Sequence, residues 1–138
     1  MLAPITITAT IYAPIETVWE RFTVPDHITQ WAFASDSWEA PIAKNDLRVG
    51  GSFTTTMAAK DKSHQFDFEG TYTAVDKYHL IAYEMSDGRT VRIVFDQILG
   101  GVNITQTFDP ESENSIEMQR AGWQAILDNF KKYCEFPR

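Results

Sequence analysis

The longest helical pattern in this chain runs from Asn114 to Phe136 and reads NSIEMQRAGWQAILDNFKKYCEF. Its apolar residues recur at steps of three and four, which places them in one stripe along a helix. The stripe consists of Ile116, Trp123, Ile126, Leu127, Phe130, Tyr133 and Cys134. We therefore predict a long terminal helix. Asn114 would cap its start with Glu117 as capping-box partner, and Pro137 would close it.

Two features interrupt this stripe. Gln119 and Arg120 fall between Ile116 and Trp123. Gly122 stands mid-helix, where glycine costs about 1 kcal/mol relative to alanine. One interpretation is that the polar side chains face solvent and that Gly122 permits a tight packing contact. The other is that the amino half of the helix borders a partly polar cavity. The pattern leaves both interpretations open.

Composition indicates a globular chain without a surface for nucleic acid or anionic membranes. The 138 residues are 43% hydrophobic and carry a formal net charge of -7, with no cluster of lysine or arginine. Such a chain has enough apolar residues for a core but presents no basic patch to phosphates. The length predicts a single domain, residues 1–138.

Cysteine usage and the amino terminus predict a cytoplasmic protein. The one cysteine, Cys134, excludes an internal disulfide and a multi-cysteine metal site, and it suits a reducing compartment. The first residues do not resemble a signal peptide, and no apolar run approaches the length of a membrane span. We expect a soluble protein, monomeric or homodimeric, with no metal and no cofactor.

The chain begins with a strand and two short helices. Residues Ile5 to Tyr12 alternate in polarity, and Pro14 and Pro25 each suit the start of a helix. The segment from Ala32 to Asn45 has no period and is predicted to be an aromatic-rich loop.

Beyond Asp46 the pattern is that of consecutive strands joined by short turns. The pair Asp87-Gly88 marks one hairpin, and the pair Gly100-Gly101 marks a second. One strand would place Phe66, Phe68, Tyr72 and Ala74 on the same face, with a bend or bulge at Gly70. Such strands form an antiparallel meander that curls, so its concave face needs cover. We expect an α+β fold in which the terminal helix supplies that cover and leaves a space near Gln119.

Several short motifs occur in an order found in a known superfamily. They are Ala13-Pro14 with Val18-Trp19, the run DLRVGGSF at 46–53, Gly70-Thr71-Tyr72, Thr105-Gln106-Thr107-Phe108, and Gly122-Trp123 before a leucine-containing helix. Together they resemble the helix-grip (SRPBCC) superfamily of START and Bet v 1-like domains. Within it the chain is most similar to the subfamily named after the activator of Hsp90 ATPase, also labelled polyketide-cyclase-like. The resemblance covers nearly the whole chain.

The resemblance implies a curved antiparallel meander sheet wrapped around a long carboxyl-terminal helix, with two short helices after the first strand. It also implies a cavity for an apolar small molecule between sheet and helix. We therefore expect a binding protein for a lipid, polyketide or flavonoid-like compound. The alternatives are an Hsp90-type co-chaperone module, by family analogy alone, and a cyclase-like enzyme that uses the same cavity.

Candidate ligand-binding residues follow from the expected position of each element around this cavity. Aromatic and apolar side chains would bury a ligand, and a few polar groups would orient it. The candidates are Trp31, Trp38, Met57, Phe68, Tyr72, Tyr83, Phe95, Gln106, Gln119, Arg120 and Trp123. For each residue taken singly, core packing is the alternative.

No catalytic motif supports the enzyme alternative, and no catalytic residue is assigned. The three histidines are scattered. His27, beside Asp26, has two interpretations: a general base at the cavity mouth or an exposed residue on a short helix. Gly50-Gly51 precedes a strand and predicts a turn, not an anion site. Cys134 lies on a stripe that predicts burial and hence an unreactive thiol.

Overall fold

A computed structural model describes residues 2–136 of the chain. Its elements in order are β1 (Ile5–Ile11), α1 (Ile15–Thr23), α2 (Pro25–Ile28), β2 (Trp38–Asn45), β3 (Ser52–Ala59), β4 (Gln65–Asp76), β5 (Leu80–Glu84), β6 (Thr90–Ile98), β7 (Gly101–Phe108) and α3 (Ile116–Glu135). The predicted role of Pro137 in ending the last helix lies outside the described residues.

The seven strands form one sheet in the order β1-β7-β6-β5-β4-β3-β2, and every neighbouring pair is antiparallel. The sheet curls around α3, as the contacts of Trp123 demonstrate. Its ring stacks on Phe108 of β7 at 4.0 Å and meets Phe68 of β4 at 5.8 Å between centroids. Two strands lie between β4 and β7, so a flat sheet would separate these partners by about 14 Å. The predicted α+β helix-grip fold is confirmed.

The segment predicted as a loop between Ala32 and Asn45 contains the edge strand β2. Its residues pair antiparallel with β3, from Trp38 opposite Ala59 to Asn45 opposite Phe53. The sequence lacks strand alternation here because the register shifts between Glu39 and Ile42, next to Pro41. An edge strand tolerates both a proline and a bulge, since one side of its backbone needs no partner strand.

The cap of α3 lies one residue later than predicted. Ser115, not Asn114, is the N-cap, and its Oγ accepts a hydrogen bond from the Met118 backbone N–H at 3.1 Å. The Asn114 N–H instead donates to Glu111 Oε1 at 2.8 Å in the preceding loop. Both residues have cap-forming side chains, so sequence could not choose between them.

The bulge of β4 lies two residues beyond the predicted position at Gly70. Gly70 pairs regularly with Phe53, and the register shifts between Tyr72 and Ala74. The extra residue reverses the alternation of side chains along the strand. Val75, opposite buried Ile81, therefore packs on the core in place of Ala74. The prediction that Ala74 shares a face with Tyr72 was wrong for this reason.

Side chains of α3 bind the outer edge of β1 along most of its length. Three of them donate hydrogen bonds to alternate backbone carbonyls of the strand. The pairs are Arg120 to Thr6 at 2.8 Å, Gln124 to Thr8 at 3.0 Å and Lys131 to Thr10 at 2.5 Å. These bonds satisfy an edge that would otherwise offer free carbonyls to another chain. They also fix α3 relative to the sheet.

Gly70 permits a close approach of aromatic rings inside the sheet. A Cβ atom at this position would lie 2.7 Å from Cε1 of Phe53 and 2.9 Å from Cδ2 of Tyr83. At Gly122 the equivalent atom would meet nothing within 4 Å. The interpretation that Gly122 permits a tight packing contact is therefore wrong, and the close contact belongs to Gly70.

We predict that Gly70→Ala lowers the free energy of unfolding by about 1–3 kcal/mol, because the added methyl overpacks the rings. Urea denaturation followed by circular dichroism measures the change. Gly122→Ala is the matched control and should raise stability by up to about 1 kcal/mol through helix propensity. Equal effects of the two substitutions would contradict the packing argument.

Candidate functional site

A cavity of about 290 Å³ lies between the concave face of the sheet, α3 and the α1–α2 segment. It reaches the surface where Phe66, half exposed, forms part of the wall. Trp123 and Ile126 supply the wall on the α3 side. The interpretation that the amino half of α3 borders a cavity therefore holds for Trp123, but the polar residues Gln119 and Arg120 lie elsewhere.

Seven of the eleven predicted ligand-binding residues lie on the cavity wall. They are Trp31, Met57, Phe68, Tyr72, Tyr83, Gln106 and Trp123. They come from α3, the segment after α2 and four different strands, which the curl of the sheet brings together. Their role in binding a ligand stays a prediction.

Trp38 and Phe95 lie outside this wall. The Trp38 ring packs edge-on against Phe66, 6.0 Å between centroids, on the outer strands. Phe95 is 1% exposed and contacts Trp19 at 5.2 Å and Phe22 at 5.4 Å. Phe22 is itself a wall residue, so Phe95 lies behind the wall in the core.

Gln119 and Arg120 hold the amino end of α3 in place. The buried Gln119 amide accepts from the Glu111 N–H at 2.9 Å and donates to the carbonyls of Glu111 at 3.1 Å and Asn114 at 2.9 Å. Arg120 is exposed and donates to the Thr6 carbonyl. Both side chains point away from the cavity because they donate hydrogen bonds to backbone carbonyls, Gln119 in the loop before α3 and Arg120 on the edge of β1.

Sequence reasoning missed several wall residues. They are Phe22, Ile28, Ala32, Asn45, Phe53, Thr55, Phe66, Ile81, Met85, Arg89, Ile93 and Ile126. The alternation in β3 was a usable signal for two of them, since Phe53 and Thr55 share the face of Met57. Arg89 shares the face of Val91 by the same alternation, but an arginine beside a turn is usually exposed, so the pattern did not single it out.

Aromatic rings make up one side of the wall. Phe53 contacts Tyr83 at 4.7 Å and Tyr72 at 5.4 Å between centroids. Phe68 lies 5.8 Å from Phe53 and 5.8 Å from Trp123. Most of these pairs are edge-on or tilted, the arrangement that aromatic quadrupoles favour. The wall can therefore contact a flat apolar ring from several directions.

A short hydrogen-bonded chain fixes Tyr72. Its hydroxyl donates to Asn45 Oδ1 at 2.5 Å, and Asn45 Nδ2 donates to the Thr23 carbonyl at 2.7 Å. This chain ties the end of α1 to β2 and β4. Burial raises the pKa of Tyr72 above its usual range, although the bond to Asn45 opposes that shift. The hydroxyl therefore stays protonated at neutral pH.

Three further polar side chains of the wall have unused hydrogen-bonding capacity. Thr55, Tyr83 and Gln106 are 6%, 7% and 8% exposed. Among residues 2–136 their side chains make no hydrogen bond, and none of their atoms is both fully buried and unpaired. Their polar atoms therefore face the cavity. Groups of this kind can orient a ligand inside an apolar pocket.

His27 lies outside the cavity wall. Its Nδ1 lies 2.6 Å from the Tyr133 hydroxyl, and the imidazole is half-buried between α2 and α3. The interpretation as an exposed residue was wrong, since this hydrogen bond holds the ring against the helix. The interpretation as a base at the cavity mouth finds no support in its position.

Cys134 is buried, as its place on the stripe predicted. Burial raises the pKa of its thiol to about 12, against an opposing effect of the Arg21 charge. A thiolate, not a thiol, acts as nucleophile. Cys134 therefore belongs to the core and not to the site.

The described part of the chain contains neither a metal-binding cluster nor a membrane-spanning helix. Within residues 2–136, no group of three or more histidine, cysteine or carboxylate side chains is arranged to hold a metal ion. None of the helices over the same range is long and apolar enough to cross a membrane.

The family model described as activator of Hsp90 ATPase homolog 1-like protein matches residues 12–135. The chain therefore belongs to this family, which confirms the resemblance seen in the motifs. No curated protein matches the chain.

Solved structures agree with this assignment. An AHSA1-like protein from Aeromonas hydrophila is 45% identical, with a TM-score of 0.90 over 96% of this chain and 92% of that chain. A protein from Cytophaga hutchinsonii is 53% identical, with a TM-score of 0.83 over 95% and 91%. A protein from Nitrosomonas europaea, 17% identical, has a TM-score of 0.84 over 99% and 96%, a likeness of fold.

We predict that stability falls as pH rises above about 10, the usual pKa of tyrosine. Burial raises the pKa of Tyr72 and of Tyr83 above that value, so the unfolded chain loses these protons first. Their contribution is complete below pH 10. It then declines by at most about 1.4 kcal/mol per pH unit for each tyrosine.

Urea denaturation at pH 8, 10 and 11 measures this dependence, and Tyr83→Phe should reduce its slope. Absorbance at 295 nm follows tyrosine ionisation. If all five tyrosines ionised near pH 10 while the circular dichroism spectrum stayed unchanged, the predicted pH dependence of stability would be contradicted.

Proposed function

We propose that this protein binds a small, mostly apolar molecule containing at least one aromatic ring. The supporting observation is the cavity of about 290 Å³ with aromatic walls and three buried polar side chains whose hydrogen-bonding groups face its interior. An apolar ring would exclude water from the aromatic side chains, and one polar substituent would pair with a wall group.

The size of the cavity favours a compact ligand. Ligand pockets typically measure about 300–1,000 Å³, and this one lies at the small end. One or two fused rings fit such a volume, whereas a long-chain lipid would need more space. Among lipids, polyketides and flavonoid-like compounds, the proposal therefore favours small aromatic molecules.

Neither alternative function has comparable support from the site. The co-chaperone alternative depends on the family description, which names an activator of the Hsp90 ATPase. The enzyme alternative requires an acid or base with a pKa near the working pH. Burial shifts the pKa of Tyr72 and Tyr83 away from neutrality, which suits hydrogen-bond donation better than proton abstraction.

We predict that 2-naphthol shifts the backbone amide resonances of Tyr83 and Gly122-Trp123. Thr55→Phe should weaken its binding by about tenfold or more, since the new ring occupies space that the ligand needs. Amide chemical shifts and isothermal titration calorimetry measure both effects.

Thr54→Phe is the matched control. Thr54 precedes Thr55 on β3 and points to the opposite face, so the same added ring should leave the affinity nearly unchanged. Circular dichroism verifies that both variants fold. Equal loss of affinity in the two variants, or no amide shift in the unsubstituted protein, would reject the cavity as the binding site.

A further inference from the structure

Arg89 carries the one charge on the cavity wall within the described part of the chain. Every other wall residue is apolar, aromatic, or a neutral polar residue. Arg89 lines the cavity while its side chain is 30% exposed, so the side chain lies at the boundary between solvent and cavity. A partly dehydrated cation requires compensating partners.

The hairpin between β5 and β6 directs Arg89 toward the cavity. The Met85 N–H donates to the Arg89 carbonyl at 2.8 Å, so these two residues lie opposite each other across the turn. Opposite residues of an antiparallel pair project to the same face. Met85 is 6% exposed and lines the cavity, and Arg89 therefore shares its inward face.

Asp87 binds Nε of Arg89 and leaves the two terminal nitrogens of the guanidinium available. Arg89 Nε donates to Asp87 Oδ2 at 2.7 Å, and the Asp87 side chain is 53% exposed. The Glu111 carboxylate mainly accepts hydrogen bonds from the N–H groups of Asn114 at 2.8 Å and Glu113 at 3.0 Å, which lower its pKa, and the Arg89 charge adds a smaller lowering. The two terminal nitrogens of Arg89 make no hydrogen bond to residues 2–136.

We infer that the ligand of this cavity is an aromatic carboxylate whose ring lies among the aromatic wall residues and whose carboxylate binds Arg89. The planar guanidinium fork matches the two oxygens of a carboxylate, a geometry that favours it over a neutral hydroxyl. The negative charge also compensates the partly dehydrated cation. This inference depends on the proposed function and specifies its ligand class.

The test compares 2-naphthoate with the neutral 2-naphthalenemethanol by isothermal titration calorimetry at low ionic strength. The two probes share a ring system and differ in charge. We expect 2-naphthoate to bind about tenfold more tightly, and added salt to weaken only 2-naphthoate. Arg89→Gln should remove that preference by weakening 2-naphthoate, so that the two probes then bind with affinities within about twofold of each other.

Two variants keep the test specific. Arg92→Gln removes the same charge from an exposed residue on the opposite face of β6 and should leave both affinities unchanged. Asp87→Asn removes the competing carboxylate while its side-chain oxygen can still accept the Arg89 N–H. It should therefore increase the affinity for 2-naphthoate.

Each contrary outcome has a distinct meaning. Equal affinity for the two probes would overturn the carboxylate assignment and leave the proposed function intact. The carboxylate assignment would fail in the same way if Arg92→Gln weakened 2-naphthoate as much as Arg89→Gln, or if Asp87→Asn lowered its affinity. Failure of both probes to bind would overturn the proposed function together with this inference.

Discussion

The site depends on the hydrogen bonds that hold one flank of α3 against β1. Hydrogen bonds from Gln124 and Lys131, among others, tie this flank to β1. The other flank meets the α2 region only in its carboxyl half, where Asn129 donates to the Trp31 carbonyl at 2.9 Å and Tyr133 meets His27. Gly122 lies on that second flank about two turns before Asn129, and a Cβ atom there would meet nothing within 4 Å. The cavity lies along this helix where Trp123 and Ile126 form its wall, before the point at which Asn129 ties the helix to the α2 region.

The curvature of the sheet determines which side chains line the cavity. Bulges interrupt the pairing of β2 and β4 and increase the local twist, and Gly70 lets the Phe53 and Tyr83 rings meet without a clash. The inward faces of β3, β4 and β5 then supply rings, while isolated polar groups remain between them. Core residues such as Phe130, fully buried behind the cavity, supply the rigid base that keeps these walls apart.

Sequence patterns predicted the parts of the fold that depend on local periodicity. The stripe of α3, the strand from Ile5 and the Asp87–Gly88 hairpin all have strong local signals, and each is present. Errors occurred where neighbouring residues offered equivalent signals, as with the cap of α3, or where irregular pairing obscured alternation, as in β2 and β4. The wall residues of regular strands could be predicted by face. Asn45 could not, because its place follows from how distant segments meet. Arg89 shares the face of Val91 by alternation, but an arginine beside a turn is usually exposed.

Apart from the edge strand β2, the sequence by itself determined the element types, their order and the family, because helix and strand periods are encoded in residues close together in the chain. Only the tertiary structure decided which side chains share the cavity. Gln119 and Arg120 fit the apolar stripe by spacing, yet nearby carbonyls draw them to the loop and to β1. Arg89 has an ordinary position in the sequence, yet the paired hairpin directs it inward. Hydrogen-bond partners decide these positions, in the adjacent loop for Gln119, across the hairpin for Arg89 and on β1 for Arg120, and the spacing of apolar residues does not record them.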